Sequence, residues 1–185
     1  MNLQELLSKK NKNEITYLDL LSTTEWKKKR KEILERDNHF CTDCGLSETL
    51  YHEGKHISFD GNQVINELVD GNRIKADTPV TVDKKIYLHV HHQLYIMGRL
   101  PWEYENDQLT TLCNWCHWKL HQNVKIKVYE ETNNGLKERE LTVCSRCNGA
   151  GMFPEYSHVN NGVCFQCKGF KYYELMKNPA SNWFK

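Results

Sequence analysis

Eight cysteines, all arranged in CxxC pairs, constrain this chain more than any other feature of its sequence. The four pairs are Cys41/Cys44, Cys113/Cys116, Cys144/Cys147 and Cys164/Cys167, and no cysteine is left over. Two CxxC pairs supply the four thiolates of a tetrahedral zinc site, so the spacing predicts two such sites. Disulfides would require an oxidising compartment, but the first residues, MNLQELLSKKNKNE, lack the apolar core and cleavage site of a signal peptide. The sequence therefore indicates zinc in a reducing cytoplasm.

The length of the chain explains why it would need such metal sites. A sequence of 185 residues holds one ordinary domain, or two small domains that bury too little apolar surface to be stable without a covalent or metallic staple. No apolar run approaches the roughly 18 residues that a membrane span requires. We therefore expect a soluble chain that does not act in a membrane.

The charge of the chain leaves nucleic acid open as a partner. The net charge is +1, and binding depends on where the charge lies rather than on its sum. Residues 117–185 carry 10 Lys+Arg against 6 Asp+Glu, whereas residues 1–116 carry 15 against 18. No block of basic residues stands out, so an ordinary solvated surface explains this excess as well as a nucleic-acid surface does.

Hydrophobic periodicity predicts helices and strands together. Polar capping residues followed by apolar residues at helical spacing predict a helix over about 24–37. After Thr81 the sequence KKIYLHVHH alternates, which is typical of a half-buried strand. The second CxxC pair opens a short helix in CNWCHWKLHQN, and residues 124–142 alternate around an Asn-Asn-Gly turn, as in a β-hairpin.

These elements predict an α+β chain in three parts. Residues 1–23 form an N-terminal arm or short helix, and residues 24–125 form the main domain. Residues 126–185 form a β-hairpin and a second cysteine module. Residues 46–84 have no sustained period and are long for a loop, so we interpret them as an insertion in the main domain.

Four histidines accompany the first two cysteine pairs. His91 and His92 end the predicted strand, while His117 and His121 lie one helical turn apart and so share a helix face. A closed four-thiolate zinc site is structural, which leaves the chemistry to the histidines. A divalent ion held by imidazoles with open positions can stabilise the charge that grows on a phosphodiester. A neutral histidine nearby can take a proton from the attacking water.

The strand imposes a condition on the adjacent pair. Consecutive side chains in a strand lie on opposite faces, so His91 and His92 point apart if the alternation continues. His92 can serve as the base beside a ligand only if the strand ends or bulges at His91. The change of pattern into QLYIMG predicts that it does.

In this order, the residues resemble the HNH nucleases of the ββα-metal class, in the subtype with zinc knuckles. The resemblance covers about residues 24–122 and rests on WKKKRKEILERDNHFCTDCG, LHVHH and LTTLCNWCHWKLH. It implies a small ββα-metal core stabilised by one structural zinc. It also implies that His91 and His117 bind a catalytic divalent metal (magnesium, manganese, nickel or zinc) and that His92 is the general base. His121 stands where some members place a further metal ligand or a phosphate contact.

One position departs from the family. The family's asparagine lies just before the leucine that precedes the second knuckle, and this chain has Gln108 before Leu109. The resemblance implies that this residue fixes the active-site loop and thereby orients the base. We therefore include Gln108 in the candidate catalytic set, with a different reach from that of asparagine.

The last two cysteine pairs lie in CSRCNGAG and CFQCKGFK. These segments resemble the CxxCxGxG repeat of the cysteine-rich region in DnaJ-type chaperones, although only two of the four repeats are present and Lys171 replaces the final glycine of the second. The resemblance implies one zinc site and no chaperone activity. The task of this module stays open between DNA contact, homodimerisation and docking to a protein partner.

The sequence thus predicts an endonuclease that hydrolyses DNA phosphodiester bonds with a histidine base and one divalent metal, RNA being open as a substrate. A catalytically inactive, zinc-stabilised adaptor that binds nucleic acid or protein is the alternative. The settings that the resemblance implies are phage DNA processing, homing, restriction and antiviral defence.

Overall fold

The computed structural model describes residues 1–69 and 72–177, with side chains except those of residues 63–77. The helices are α1 (Leu3–Lys9), α2 (Tyr17–Leu21), α3 (Thr24–Arg36), α4 (Asn114–Asn123) and α5 (Tyr173–Lys177). The strands are β1 (Leu50–His52), β2 (Lys55–Val69), β3 (Asn72–Val82), β4 (Leu88–His92), β5 (Tyr95–Ile96), β6 (Leu109–Cys113), β7 (Val128–Thr132) and β8 (Gly135–Arg139). The prediction of a mixed α+β chain is confirmed. Within the described residues, no helix combines the length and the apolar character that crossing a membrane demands.

Residues 1–23 form two short helices rather than an extended arm. Both begin with a capping box, in which Asn2 and Thr16 accept hydrogen bonds from the backbone of the first turn. Leu6, Ile15 and Leu20 are buried together against Leu100 of the main domain. Apolar burial therefore fixes this segment beside the loop that follows β5.

Helix α3 confirms the helix predicted over about 24–37 to within one residue. It begins where the Thr23 hydroxyl accepts a hydrogen bond from the Trp26 amide and donates one to the Leu20 carbonyl. Just past its end, the Asp37 carboxylate accepts hydrogen bonds from the Thr111 amide and from Arg36. The helix is thereby tied at one end to α2 and at the other to β6.

The segment interpreted as an insertion contains a three-stranded antiparallel sheet in the order β1-β2-β3. Residues 50–52 of β1 are exposed along their whole length. Because an exposed strand has no buried face, its sequence has no reason to alternate between apolar and polar residues. The periodicity therefore gave no sign of β1.

The centre of the chain is an antiparallel strand pair followed directly by a helix. Strand β4 pairs with β6 from Leu88↔Cys113 to His92↔Leu109, and α4 starts at the next residue. The predicted strand and short helix are both confirmed. Regular pairing continues through His92, so the expectation that the strand ends or bulges at His91 is wrong; β6 is long enough to carry the ladder one residue further.

The predicted hairpin is confirmed as β7 and β8, joined by the Asn133-Asn134 turn. Strand β5 pairs in parallel with β7, so one small sheet joins residues on both sides of the division drawn at 125/126. Beyond the hairpin, Leu141, Phe170 and Tyr172 form a further buried cluster. Independent folding of the parts on either side of residue 125 stays a prediction.

Candidate active site

The first two cysteine pairs meet in space. One pair lies in the turn after α3 and the other at the junction of β6 and α4, and all four sulfur atoms lie within 4.8 Å of one another. The Sγ atoms of Cys44 and Cys113 are 3.9 Å apart, whereas a disulfide would bring them to about 2.0 Å. Zinc–sulfur bonds of about 2.3 Å in a tetrahedron place sulfur atoms about 3.8 Å apart. These four thiols could therefore hold zinc.

The last two cysteine pairs form a second cluster of the same kind. All four sulfur atoms are within 4.8 Å of one another and fully buried. The Sγ atoms of Cys144 and Cys164 are 3.9 Å apart, and those of Cys147 and Cys167 are 3.6 Å apart. The two CxxC loops also share a backbone conformation. This cluster likewise could hold a structural zinc ion.

A third cluster consists of His91 from β4 and of His117 and His121 from α4. Their ligand nitrogens lie within 4.8 Å of one another, and the Nε2 atoms of His117 and His121 are 3.2 Å apart. Metal–nitrogen bonds of about 2.0–2.1 Å place neighbouring ligand nitrogens about 2.9–3.4 Å apart. The predicted helix-face pair and the strand histidine are thus brought together with spacing that suits a metal ion.

Unpartnered nitrogens strengthen this fit. Both ring nitrogens of His91 and Nδ1 of His117 are buried without a hydrogen-bond partner among the described residues. A buried polar atom left in this way costs about 1–3 kcal/mol, so native proteins rarely tolerate several at one place. A neutral imidazole has one nitrogen lone pair, so a metal ion would take one nitrogen of each ring and leave the other as an N–H donor.

Burial also sets the protonation of these imidazoles. Desolvation, reinforced by the positive charge of Lys171, lowers the pKa of His91 to about 2 and that of His121 to about 3. Desolvation lowers the pKa of His117 well below its ordinary value. All three rings are therefore neutral near pH 7, which is the form that binds metal ions.

His92 lies on the other face of β4. Its ring stacks on Trp26, with ring centres 5.4 Å apart, and meets the edge of Tyr104 at 4.6 Å. Its Nε2 lies 2.9 Å from the Pro101 carbonyl oxygen. Because a carbonyl only accepts, Nε2 carries the hydrogen and Nδ1 of the neutral ring keeps a lone pair. Desolvation lowers the pKa of His92 to about 3, so the ring is neutral and held in one tautomer.

Gln108 acts on the loop before β6. Its side-chain oxygen accepts a hydrogen bond from the Glu105 amide, and its backbone carbonyl accepts one from Gln93. His92 instead donates its hydrogen bond to the Pro101 carbonyl. Sequence reasoning missed Pro101 because any residue offers a carbonyl, so residue type carries no signal for this role.

One cavity of about 560 Å³ is lined by residues from both faces of β4. Its lining includes His91 and His117 from the three-histidine cluster, His92 from the opposite face, and His89. The volume is in the range of small-molecule and cofactor sites. Lys171 of the C-terminal module also lines it, a residue that the sequence marked only as a departure from a glycine pattern. His92 thus shares a cavity with two of the three candidate ligands, His91 and His117, although the strand does not break.

Comparisons with models of protein families, with curated proteins and with solved structures found no match to this chain. The two four-cysteine clusters and the three-histidine cluster are the features of the chain that bear on its function.

Proposed function

We propose that this chain is a metal-dependent endonuclease of the HNH type that hydrolyses DNA phosphodiester bonds. The observation that carries the proposal is the buried three-histidine cluster, two of whose members, His91 and His117, line the same cavity as the neutral, oriented His92. The order of the elements also supports it, because two antiparallel strands followed by a helix carry these residues, as the HNH resemblance leads one to expect.

The proposed ligands are His91, His117 and His121. Three imidazoles favour a transition metal over magnesium, which prefers oxygen ligands. When bound, the metal would stabilise the negative charge that develops on the phosphodiester. The four-cysteine site at the base of α4 holds the helix against β6 and so fixes His117 and His121 relative to His91.

His92 would act as the general base. A water oxygen forms a bond to phosphorus, the bond from phosphorus to the leaving oxygen breaks, and Nδ1 of His92 takes the proton of the water. The Pro101 carbonyl fixes the opposite ring nitrogen as a donor, so the lone pair stays on Nδ1. Stacking on Trp26 limits rotation of the ring. These contacts prepare the base before substrate binds, which lowers the cost of reaching the transition state.

A plasmid-nicking assay tests the proposal. Zinc-loaded protein is titrated with Mn²⁺, Ni²⁺, Zn²⁺ or Mg²⁺, and rates and metal midpoints are recorded for the parent and for variants. His92→Ala should lose roughly 10²–10⁴-fold in rate with its metal midpoint unchanged, since a base contributes about that much. His91→Ala and His117→Ala should shift the midpoint to higher metal concentration. His52→Ala, in the exposed strand β1, is the control and should match the parent.

Two results would count against this account. A folded, zinc-loaded parent that cuts neither DNA nor RNA with any of these metals overturns the nuclease proposal in favour of an adaptor. A His92→Ala variant that cuts at the parent's rate moves the base to another residue of the cavity, for which His89 is the first candidate.

A further inference from the structure

Lys171 occupies a backbone position that its own repeat pattern assigns to glycine. It has φ +72°, and Gly151, the matching residue of the first repeat, has φ +76°. The agreement extends to Gly149 and Gly169, which both have φ +82°. A side chain in the left-handed region strains the backbone, and glycine avoids the strain. Lysine is therefore unfavourable at this position for the fold of the module.

That side chain crosses from the C-terminal module to the candidate active site. Lys171 lines the cavity together with His91, His92 and His117. Its Nζ contacts the hydroxyl of Tyr95 and lies 4.4 Å from the centre of that ring. Nζ also lies 5.0 Å from the ring centre of Tyr17, a residue of the cavity lining, and neither aromatic contact neutralises the ammonium charge.

Lys171 has no carboxylate partner among the residues that the structure describes, and the thiolates of Cys147 and Cys167 are the negative groups that attract its ammonium charge. The salt bridges there include none to Lys171, whereas Arg30, also on the cavity, has a Glu48 carboxylate oxygen within 3.7 Å. The histidines of the cavity are neutral and cannot supply negative charge. An anion that enters the cavity could make a direct, charge-assisted hydrogen bond with this ammonium.

We propose that Lys171 binds a non-bridging phosphate oxygen of the nucleic acid in this cavity, so that the C-terminal zinc module completes the substrate site. The inference rests on the proposed nuclease function and deepens it. Lysine binds phosphate as a compact point charge, which suits a contact that positions any sequence equally. The module would thus act within the same chain, presenting one cation across the cavity from the metal-binding cluster.

The salt dependence of DNA binding gives a readout that a purely structural role would not change. Fluorescence anisotropy with a labelled duplex, zinc-loaded protein and no added catalytic metal yields log K against log salt concentration. Loss of one phosphate contact in Lys171→Met should make the slope shallower by about 0.9. In the nicking assay, kcat/KM should fall about 10- to 100-fold, the usual effect of losing a hydrogen bond to a charged group. Lys171→Arg, which keeps the charge, should keep the slope.

Lys171→Gly separates binding from folding. Glycine relaxes the backbone at φ +72°, so the variant should melt at or above the parent's temperature while binding DNA as weakly as Lys171→Met. Lys168→Met is the matched control, because Lys168 is exposed in the same repeat, has φ +50° and does not line the cavity. It should keep the parent's slope and rate.

The outcomes distinguish the two proposals. A parent that cuts DNA, with slopes unchanged in Lys171→Met and Lys171→Gly, overturns the role of Lys171 and leaves the nuclease in place. A lower melting temperature in Lys171→Gly together with weak binding also overturns it, in favour of a structural lysine. A parent that neither binds nor cuts DNA removes both proposals.

Discussion

The imidazole of His92 is held by its neighbours on three sides. Trp26 covers one ring face, the edge of Tyr104 meets the ring, and the Pro101 carbonyl accepts the Nε2 hydrogen. Trp26 comes from α3, whereas Pro101 and Tyr104 share the loop before β6, so no single short motif contains all three contacts. The clustering of the cysteines and of His91, His117 and His121 was predictable because candidate metal ligands are recognised by their spacing and residue type. Pro101 and Lys171 were not, because one contributes a carbonyl and the other arrives from a distant module.

Tyr104 tests how this packing contributes to stability. Its hydroxyl accepts a hydrogen bond of 2.8 Å from the buried Ile96 amide. Tyr104→Phe leaves that amide unsatisfied, so the free energy of unfolding should fall by about 1–3 kcal/mol. Cleavage at saturating metal should stay near the parent's rate, because the ring edge against His92 remains. Urea unfolding measures the change, with the exposed Tyr156→Phe as control. Equal losses in the two variants would contradict this assignment.

Elements with local signals were predictable, and elements with distant partners were not. Helix α3 has its cap and its apolar spacing within one stretch, and the β7–β8 hairpin has its turn between its strands. The parallel pairing of β5 with β7 joins residues about thirty positions apart and leaves no local pattern. The exposed strand β1 has no buried face to produce alternation. Sequence periodicity therefore predicted the core elements of the site but not the sheet of β5, β7 and β8 that connects the modules.

The start of α3 provides a prediction at the level of the element. The Thr23 hydroxyl is fully buried, accepts a hydrogen bond from Trp26 and donates one to the Leu20 carbonyl. Thr23→Ala should lower the free energy of unfolding by about 0.5–2 kcal/mol, the usual cost of losing a cap. Thermal or urea unfolding of zinc-loaded protein measures this, and the exposed neighbour Thr24→Ala is the control. A neutral Thr23→Ala variant would show that packing alone fixes α3.

At the scale of the whole molecule, the two four-cysteine clusters bring separate parts of the chain together around the candidate site. The first joins the turn after α3 to the start of α4. Next to the second, Asn148 donates a hydrogen bond of 2.7 Å to the His121 carbonyl, and Trp118 of α4 packs on the cysteine cluster. The C-terminal module is therefore in direct contact with the helix that carries two of the candidate ligands.

Loss of the first four-cysteine site and loss of the second should have different consequences. Cys167→Ser should reduce bound zinc from about two ions per chain to about one, expose protease sites after residue 140 and lower DNA cleavage at least as much as Lys171→Met. Residues 1–125 should stay folded, because their own cysteine cluster is intact. Cys116→Ser should unfold that core instead. Elemental analysis, limited proteolysis and circular dichroism distinguish these results. Loss of the whole fold in Cys167→Ser would show that the two modules fold as one unit.

The proposed function depends on the three-histidine cluster, so metal binding at this cluster is the most direct test of the proposal. Calorimetric titration of Ni²⁺ into zinc-loaded protein should reveal one further site per chain. That site should be lost or strongly weakened in His91→Ala and His117→Ala and retained in His92→Ala and His52→Ala. The absence of a third site in the folded parent, or an unchanged one in His117→Ala, would contradict the assignment of these histidines as metal ligands.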